Sequence, residues 1–197
     1  MTVNPNGVPG VVTGIYRTSF ESGLTTGLLA GDTVFSMLWQ NANLKALIQH
    51  IRLGAQIVTP FTAGQEIGAK AFVARSFTVA DSGGTAQTIA NLTKISSANN
   101  SASLLTDLRG ATTGALTPGT RTLDGAAILA VYGDQLLAAA SAAFSPIVGE
   151  YQPQATRYPV ILAQNEGVVF RNIIAHGAGG TVRFFWDVEW LEFLPKA

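Results

Sequence analysis

Histidine is the side chain best suited to move protons near neutral pH, and this sequence holds two, His50 and His176. His176 opens the run His176-Gly177-Ala178-Gly179-Gly180, while His50 stands beside Ile51 and Arg52 in an apolar stretch. No Gly-x-Ser-x-Gly elbow accompanies either one, so a serine hydrolase built on them lacks its signature. Glycoside hydrolysis needs instead two carboxyl groups roughly 5 to 9.5 Å apart. Asp187 and Glu189 are two positions apart and so share one side of an extended strand. Arg183 lies on that side as well, placed to pair with Asp187, and Glu192 falls on the opposite side by alternation. A solvated or intersubunit row of charges is the simpler reading of this pattern.

Asp32, Asp81, Asp107, Asp124 and Asp134 never cluster as Asp-x-Asp-x-Asp, the spacing of a calcium loop. Gly177 to Gly180 has the composition of a phosphate loop, but such a loop needs a helix N-terminus behind it, and a strand pattern follows. Trp39, Trp186 and Trp190 could line a sugar platform. Trp186 and Trp190 share the apolar side of a strand with Phe184, however, and core packing is the simpler reading. Asn91-Leu92-Thr93 and Asn99-Asn100-Ser101 fit the glycosylation acceptor. Residues 1–10 carry two prolines and two asparagines and neither a basic nor an apolar leader segment, so these matches are attributed to chance. Catalytic, metal-binding and cofactor-binding residues are therefore assigned as none.

The elements that must position these residues are most legible at the C-terminal end. Val182, Phe184, Trp186, Val188 and Trp190 alternate with Arg183, Asp187 and Glu189, the period of a half-buried antiparallel strand. The preceding run, residues 168–174, is predicted to pair with it as a hairpin closed by the glycine turn. Val160 to Leu162 is expected to begin the strand entering that hairpin. Further strands are predicted over 11–20, interrupted at Gly14, and over 33–39, 45–58, 68–80 and 120–132. In 45–58, Leu44, Leu47, Ile48 and Ile51 have helical spacing, but Gly54 and the β-branched tail favour strand. Leu47, Ile51, Leu53, Ala55 and Ile57 would then share a face broken only by Gln49. In 68–80, Ala71, Val73, Arg75, Phe77 and Val79 are expected on one face.

Residues 85–92 are placed to pair back after the Asp81-Ser82-Gly83-Gly84 turn, and residues 104–108 form a short run after a polar loop at 96–103. Residues 134–144 are alanine-rich and suit one to three helical turns capped by Asp134. Residues 145–159, with three prolines, read as an irregular connection. About eight strands separated by turn signals suggest an all-β, antiparallel two-sheet sandwich of jelly-roll type. The expected organisation is an N-terminal arm and loop over residues 1–31, followed by the sandwich over 32–197.

Composition narrows the class. The absence of cysteine excludes disulfides, zinc–thiolate sites and thiol catalysis. Charged residues make up 12%, balanced at 12 basic and 12 acidic, about half the usual share. Such a surface is either rich in Thr, Ser and Gly and still adequately polar, or covered by copies of itself or other proteins, where desolvating charge would be unfavourable. The basic residues are scattered, giving no electrostatic footprint for nucleic acid. No stretch approaches the about 20 apolar residues of a membrane-spanning helix.

Several segments carry a resemblance: Val160-Ile161-Leu162-Ala163-Gln164-Asn165-Glu166-Gly167-Val168-Val169-Phe170-Arg171-Asn172, Gly119-Thr120-Arg121-Thr122-Leu123-Asp124 and Val188-Glu189-Trp190, with Val73 to Thr78 and Asp81 to Thr85. Together they resemble small virion proteins of tailed bacteriophages, among them cement or decoration proteins. The resemblance implies a non-enzymatic jelly-roll trimer that binds the major capsid protein on the outer capsid surface of the virion. It would assemble in the host bacterial cytoplasm, with no nucleic-acid or membrane partner. Residues 1–10, 21–31 and 134–159 are the expected contact surfaces. A receptor- or carbohydrate-binding module of a head fibre or tail component is the alternative, and a hydrolase using Asp187 and Glu189 the third reading.

Overall fold

The computed structural model describes residues 10–88, 93–95, 107–135, 146–153 and 159–195. Among these there is no helix. The strands are β1 (Gly10–Glu21), β2 (Thr33–Trp39), β3 (Lys45–Thr59), β4 (Gln65–Arg75), β5 (Thr85–Ala86), β6 (Thr93–Lys94), β7 (Leu108–Gly110), β8 (Thr122–Leu123), β9 (Leu129–Gln135), β10 (Ile147–Tyr151), β11 (Ile161–Leu162), β12 (Glu166–Asn172) and β13 (Thr181–Pro195). They build two antiparallel sheets. Sheet A runs β10-β3-β13-β1-β6, with β11 also on β3; sheet B runs β5-β7-β2-β12-β4-β8, with β9 also on β4.

The core lies between the sheets, and the alternation of β13 supplies much of it. Val182, Phe184, Trp186, Val188 and Trp190 are all buried. Trp186 meets Phe35 of β2 at 5.0 Å and Phe170 of β12 at 6.2 Å between ring centroids, so one aromatic side chain ties the sheets together. Burying a side chain of this size contributes about 1.5–3 kcal/mol. β2 is buried along its whole length. An unbroken apolar run reads this way when both faces of a strand are covered.

The predicted C-terminal hairpin does not form. β12 pairs with β2 and β4 in sheet B, whereas β13 pairs with β1 and β3 in sheet A. The 173–180 connection exceeds the roughly two to five residues of a hairpin loop and crosses from one sheet to the other. Val160 to Leu162 likewise feeds no hairpin: β11 sits on β3 in sheet A, and the chain turns through Asn165, at φ 61°, into sheet B. Strand alternation predicts which side of a strand is buried and is silent about which neighbour it takes.

Other differences have local causes. In β3 the pairing with β13 shifts register between Ile48 and His50. This bulge at Gln49 puts Ile48 and Ile51 in the core and Leu47 on the outer face with Leu191 and Phe193. An extra residue reverses the facing of everything before it. Gly54, which spoke against a helix, is where the Phe185 ring lies across the strand, in the space a Cβ would fill. β4 stops at Arg75, because Ser76 adopts φ 49°. Phe77 therefore turns to the outer cluster of Leu38, Ala74 and Val169, and Val79 is exposed.

The strand predicted over 120–132 is split. β8 and β9 both pair with β4, with Leu123 opposite Ala74 and Leu129 opposite Ala71, so residues 124–128 bulge outward. Of the alanine-rich segment only Asp134 and Gln135 are described; they end β9 opposite Glu66 and Gln65, which removes Asp134 as a helix cap. The expected irregular connection contains β10, paired to β3. Its alternation of Ile147, Gly149 and Tyr151 is too short to stand out between prolines. The break at Gly14 appears as predicted, as a register shift between Val12 and Gly14. Residues 1–9, the polar loop at 96–103, residues 104–106, most of the alanine-rich segment and both glycosylation acceptor asparagines lie outside the described residues.

Candidate interaction surface

The carboxylates that could have served hydrolysis sit in a cross-strand ladder on the outer face of sheet A. Register aligns Arg17 of β1, Glu189 of β13 and His50 of β3, and in the next row Ser19, Asp187, Arg52 and Glu150 of β10. Arg17 reaches Asp187 at 3.1 Å and Arg52 reaches it at 3.9 Å. Arg52 and His50 approach Glu150 at 3.9 and 3.8 Å. From strand to strand the charge runs positive, negative, positive, negative. Arg183 pairs with Glu21 at 3.7 Å and not with Asp187 as expected.

A glycosidase acid needs an apolar pocket that raises its pKa. Asp187 instead faces two guanidinium groups, those of Arg17 and Arg52. The arrangement suits cross-strand pairing. Glu192 is buried on the opposite side, as alternation requires, and accepts a hydrogen bond from Trp190 Nε1 at 3.2 Å.

Sheet B carries a different set of charged contacts, and four of the segments named in the resemblance meet there. Arg75 grips Asp124 in two parallel bonds, Nε to Oδ1 at 3.2 Å and Nη2 to Oδ2 at 3.1 Å, and its Nη1 bonds Glu166. Hydrogen bonds to Asp124 and then Glu166 raise the Arg75 pKa further above its ordinary value. Glu166 also accepts from the Ala163 amide at 2.8 Å, closing the turn between β11 and β12. The Phe77 amide donates to the Asn165 carbonyl at 2.8 Å.

A second ion pair, against Phe77, is withdrawn from water. The Asp81 side chain is fully buried, and the Arg121 side chain paired with it is 6% exposed. Asp81 Oδ1 also accepts from the Gly119 amide at 2.7 Å, and Arg121 Nη2 donates to Thr33 Oγ1 at 2.8 Å. The guanidinium lies 5.1 Å from the centre of the Phe77 ring. Burial, and then repulsion from Arg171, push the Arg121 pKa down to about 10, still high enough to keep it charged at neutral pH. Sequence reading took Asp81 as a scattered acid and a turn residue, and Arg121 as part of a resembling segment, without pairing them. Arg75 on the apolar side of β4 was a signal for its own partners, Asp124 and Glu166, since a cation there calls for a carboxylate.

Where residues 124–128 bulge, an open cleft of about 430 Å³ forms between Val73, Arg75 and Ile128 on one side and Val160 and Ile161 on the other. The charged groups on its wall, Arg75 and Asp124, are already paired to one another.

The remaining candidates are dispersed. Asp32 accepts from the Leu29 amide at 2.8 Å in its own turn, Asp107 is buried beside β7, and Asp134 lies on β9. Among the described residues no three histidine or acidic groups gather as a metal ion would need. Trp39, Trp186 and Trp190 are buried, so none of them presents a face to a sugar. Gly177 to Gly180 lie in an inter-sheet crossover, with the Gly177 amide donating to Gln65 Oε1 at 2.7 Å. Among the described residues no helix is long and apolar enough to cross a membrane. No protein-family model matches the sequence, and comparison with curated proteins and with solved structures returns no match.

Proposed function

We propose that this chain is a structural virion protein: a jelly-roll sandwich that binds the outer surface of a tailed-phage capsid as a trimer and stabilises the shell. The observation that carries the reading is the strand order. The eight principal strands run β1, β13, β3, β10 in one sheet and β2, β12, β4, β9 in the other. Successive strands from β1 to β4 change sheets at every connection, and the first and last strands are neighbours. Such an order fits two interlocked Greek keys, the jelly-roll arrangement found in viral capsid and lectin domains. Burial of all three tryptophans weighs against the lectin-like alternative.

Two further observations support it. Four of the five segments that resemble phage virion proteins converge on ion-paired contacts at sheet B, as a shared scaffold would. The 22–32 crossover, which overlaps the expected contact surface at 21–31, exposes Leu24 and Leu29, the latter 65% accessible, as a protein-binding loop would. Stabilisation would follow from mass action, because a ligand of the assembled shell alone favours assembly. The test is sedimentation of the purified protein, then co-sedimentation with empty shells of a tailed-phage major capsid protein. A trimer that pellets with shells and raises their melting temperature is expected. A monomer that stays in the supernatant would sink the proposal.

A further inference from the structure

Three crossovers gather at one end of the sandwich: residues 22–32 from β1 to β2, 60–64 from β3 to β4, and 173–180 from β12 to β13. His176 touches all of them. Its amide donates to the Leu28 carbonyl at 2.8 Å. Its ring meets Phe61 edge-on at 5.7 Å and lies parallel to Phe184 of β13 at 6.2 Å and 11°. Both ring nitrogens are buried and have no hydrogen-bond partner.

Backbone bonds tie the same three segments together. The Gly31 amide donates to the Asn172 carbonyl at 2.7 Å and the Thr62 amide to the Ala178 carbonyl at 3.2 Å. Asn172 Nδ2 donates to the Leu29 carbonyl at 3.0 Å. Few charges face the ring. Residues 60–64 carry none, and the only charged side chain in 22–32 is Asp32, whose carboxylate is already engaged by the Leu29 amide. Arg171 bonds the Gly31 carbonyl, and Arg183 is turned to the outer face beside Glu21.

We propose that His176 is an acid-sensitive latch: neutral, it fastens the three crossovers, and protonated, it releases the 22–32 loop. An imidazolium has two N–H donors and a charge, and this aromatic setting supplies no acceptor for either donor. Burying it so is far less favourable than exposing it. The direction of the titration agrees. Burial lowers the His176 pKa from its ordinary 6.5, and Asp32 only partly offsets this. The open form therefore takes up the proton first. The latch is fully effective above pH 6.5 and weakens as pH falls below it, by up to about tenfold in the closing equilibrium per pH unit. The proposal stands apart from the capsid reading, since it requires no partner.

Hydrogen exchange of the full chain between pH 7.5 and 5.5, corrected for intrinsic rates, tests it. The amides of Gly31, Thr62 and His176 are expected to lose protection by up to about tenfold per unit below pH 6.5, while Trp186 in the middle of sheet A does not. His176→Phe keeps a flat ring that cannot take up a proton and should abolish the pH dependence. His50→Gln should leave it unchanged. Equal acid sensitivity in His176→Phe and the parent chain would overturn the latch. Should His176→Phe fail to fold, nitrogen NMR of the parent imidazole decides: a ring still neutral at pH 6 supports the latch, and one that titrates at 6.5 or above with protection intact refutes it.

Discussion

The two outer faces of this sandwich use the same charged residue types under opposite conditions. On sheet A, Arg17, Asp187, Arg52 and Glu150 form an alternating ladder open to water at its edge; the side chains of Arg52 and Glu150 are 44% and 53% exposed, that of Asp187 14%. On sheet B, Asp81 and Arg121 are sealed beneath Phe77 and two turns. Exposed pairs contribute about 0–1 kcal/mol each and weaken with salt. In a buried pair either partner alone becomes an uncompensated charge, so loss of one is severe even though the pair together adds little. Burial, rather than the identity of the pair, decides how much a substitution matters.

The comparison breaks most sharply at Arg121. Arg121→Ala is expected to destabilise the fold by about 3–5 kcal/mol in urea denaturation, since Asp81 would keep only the Gly119 amide. Replacing both members, as Asp81→Leu with Arg121→Met, should recover most of that loss; a double variant as unstable as the single would show that the pair itself holds the turns. Arg75 lies between the extremes, half-exposed but bidentate. Arg75→Ala should lose roughly 1–2 kcal/mol, and Arg75→Lys most of the same amount, because a lysine cannot grip Asp124 with two parallel bonds. The smallest effect belongs to the ladder. Glu150→Ala should lose about 1 kcal/mol or less at low salt, and the difference should shrink when melting is repeated in about 1 M salt, where screening lengths fall to roughly 3 Å. Loss of about 3 kcal/mol at Glu150, insensitive to salt, would erase the distinction between the faces.

Much of the strand content was legible. The side of β13 that packs inward follows from its alternation, the largely apolar run of β2 fits a strand covered on both faces, and the interruption expected at Gly14 is a register shift within one continuous strand. Long-range pairing was illegible, because strands of similar pattern can each take several neighbours. Hence the expected hairpin became two strands in two sheets. Bulges were illegible too: the one at Gln49 moves Leu47 to the other face without altering composition. At the candidate surface, Asp187 and Glu189 were identified as residues sharing one side of a strand, but their partners were not. The Arg75 frame and the buried Asp81–Arg121 pair went unseen, since their members come from segments tens of residues apart.

The sequence by itself determined an all-β chain without cysteine chemistry, poor in charge, with an aromatic strand at its end and core tryptophans. Those properties rest on short-range periodicity and residue type, which act before any distant contact forms. Tertiary structure alone decided which strands became neighbours, which charges were left in water and which were sealed, and that a lone histidine came to rest where three crossovers meet. Those outcomes depend on closing long loops and on desolvation, and both are properties of the assembled sandwich rather than of any one segment.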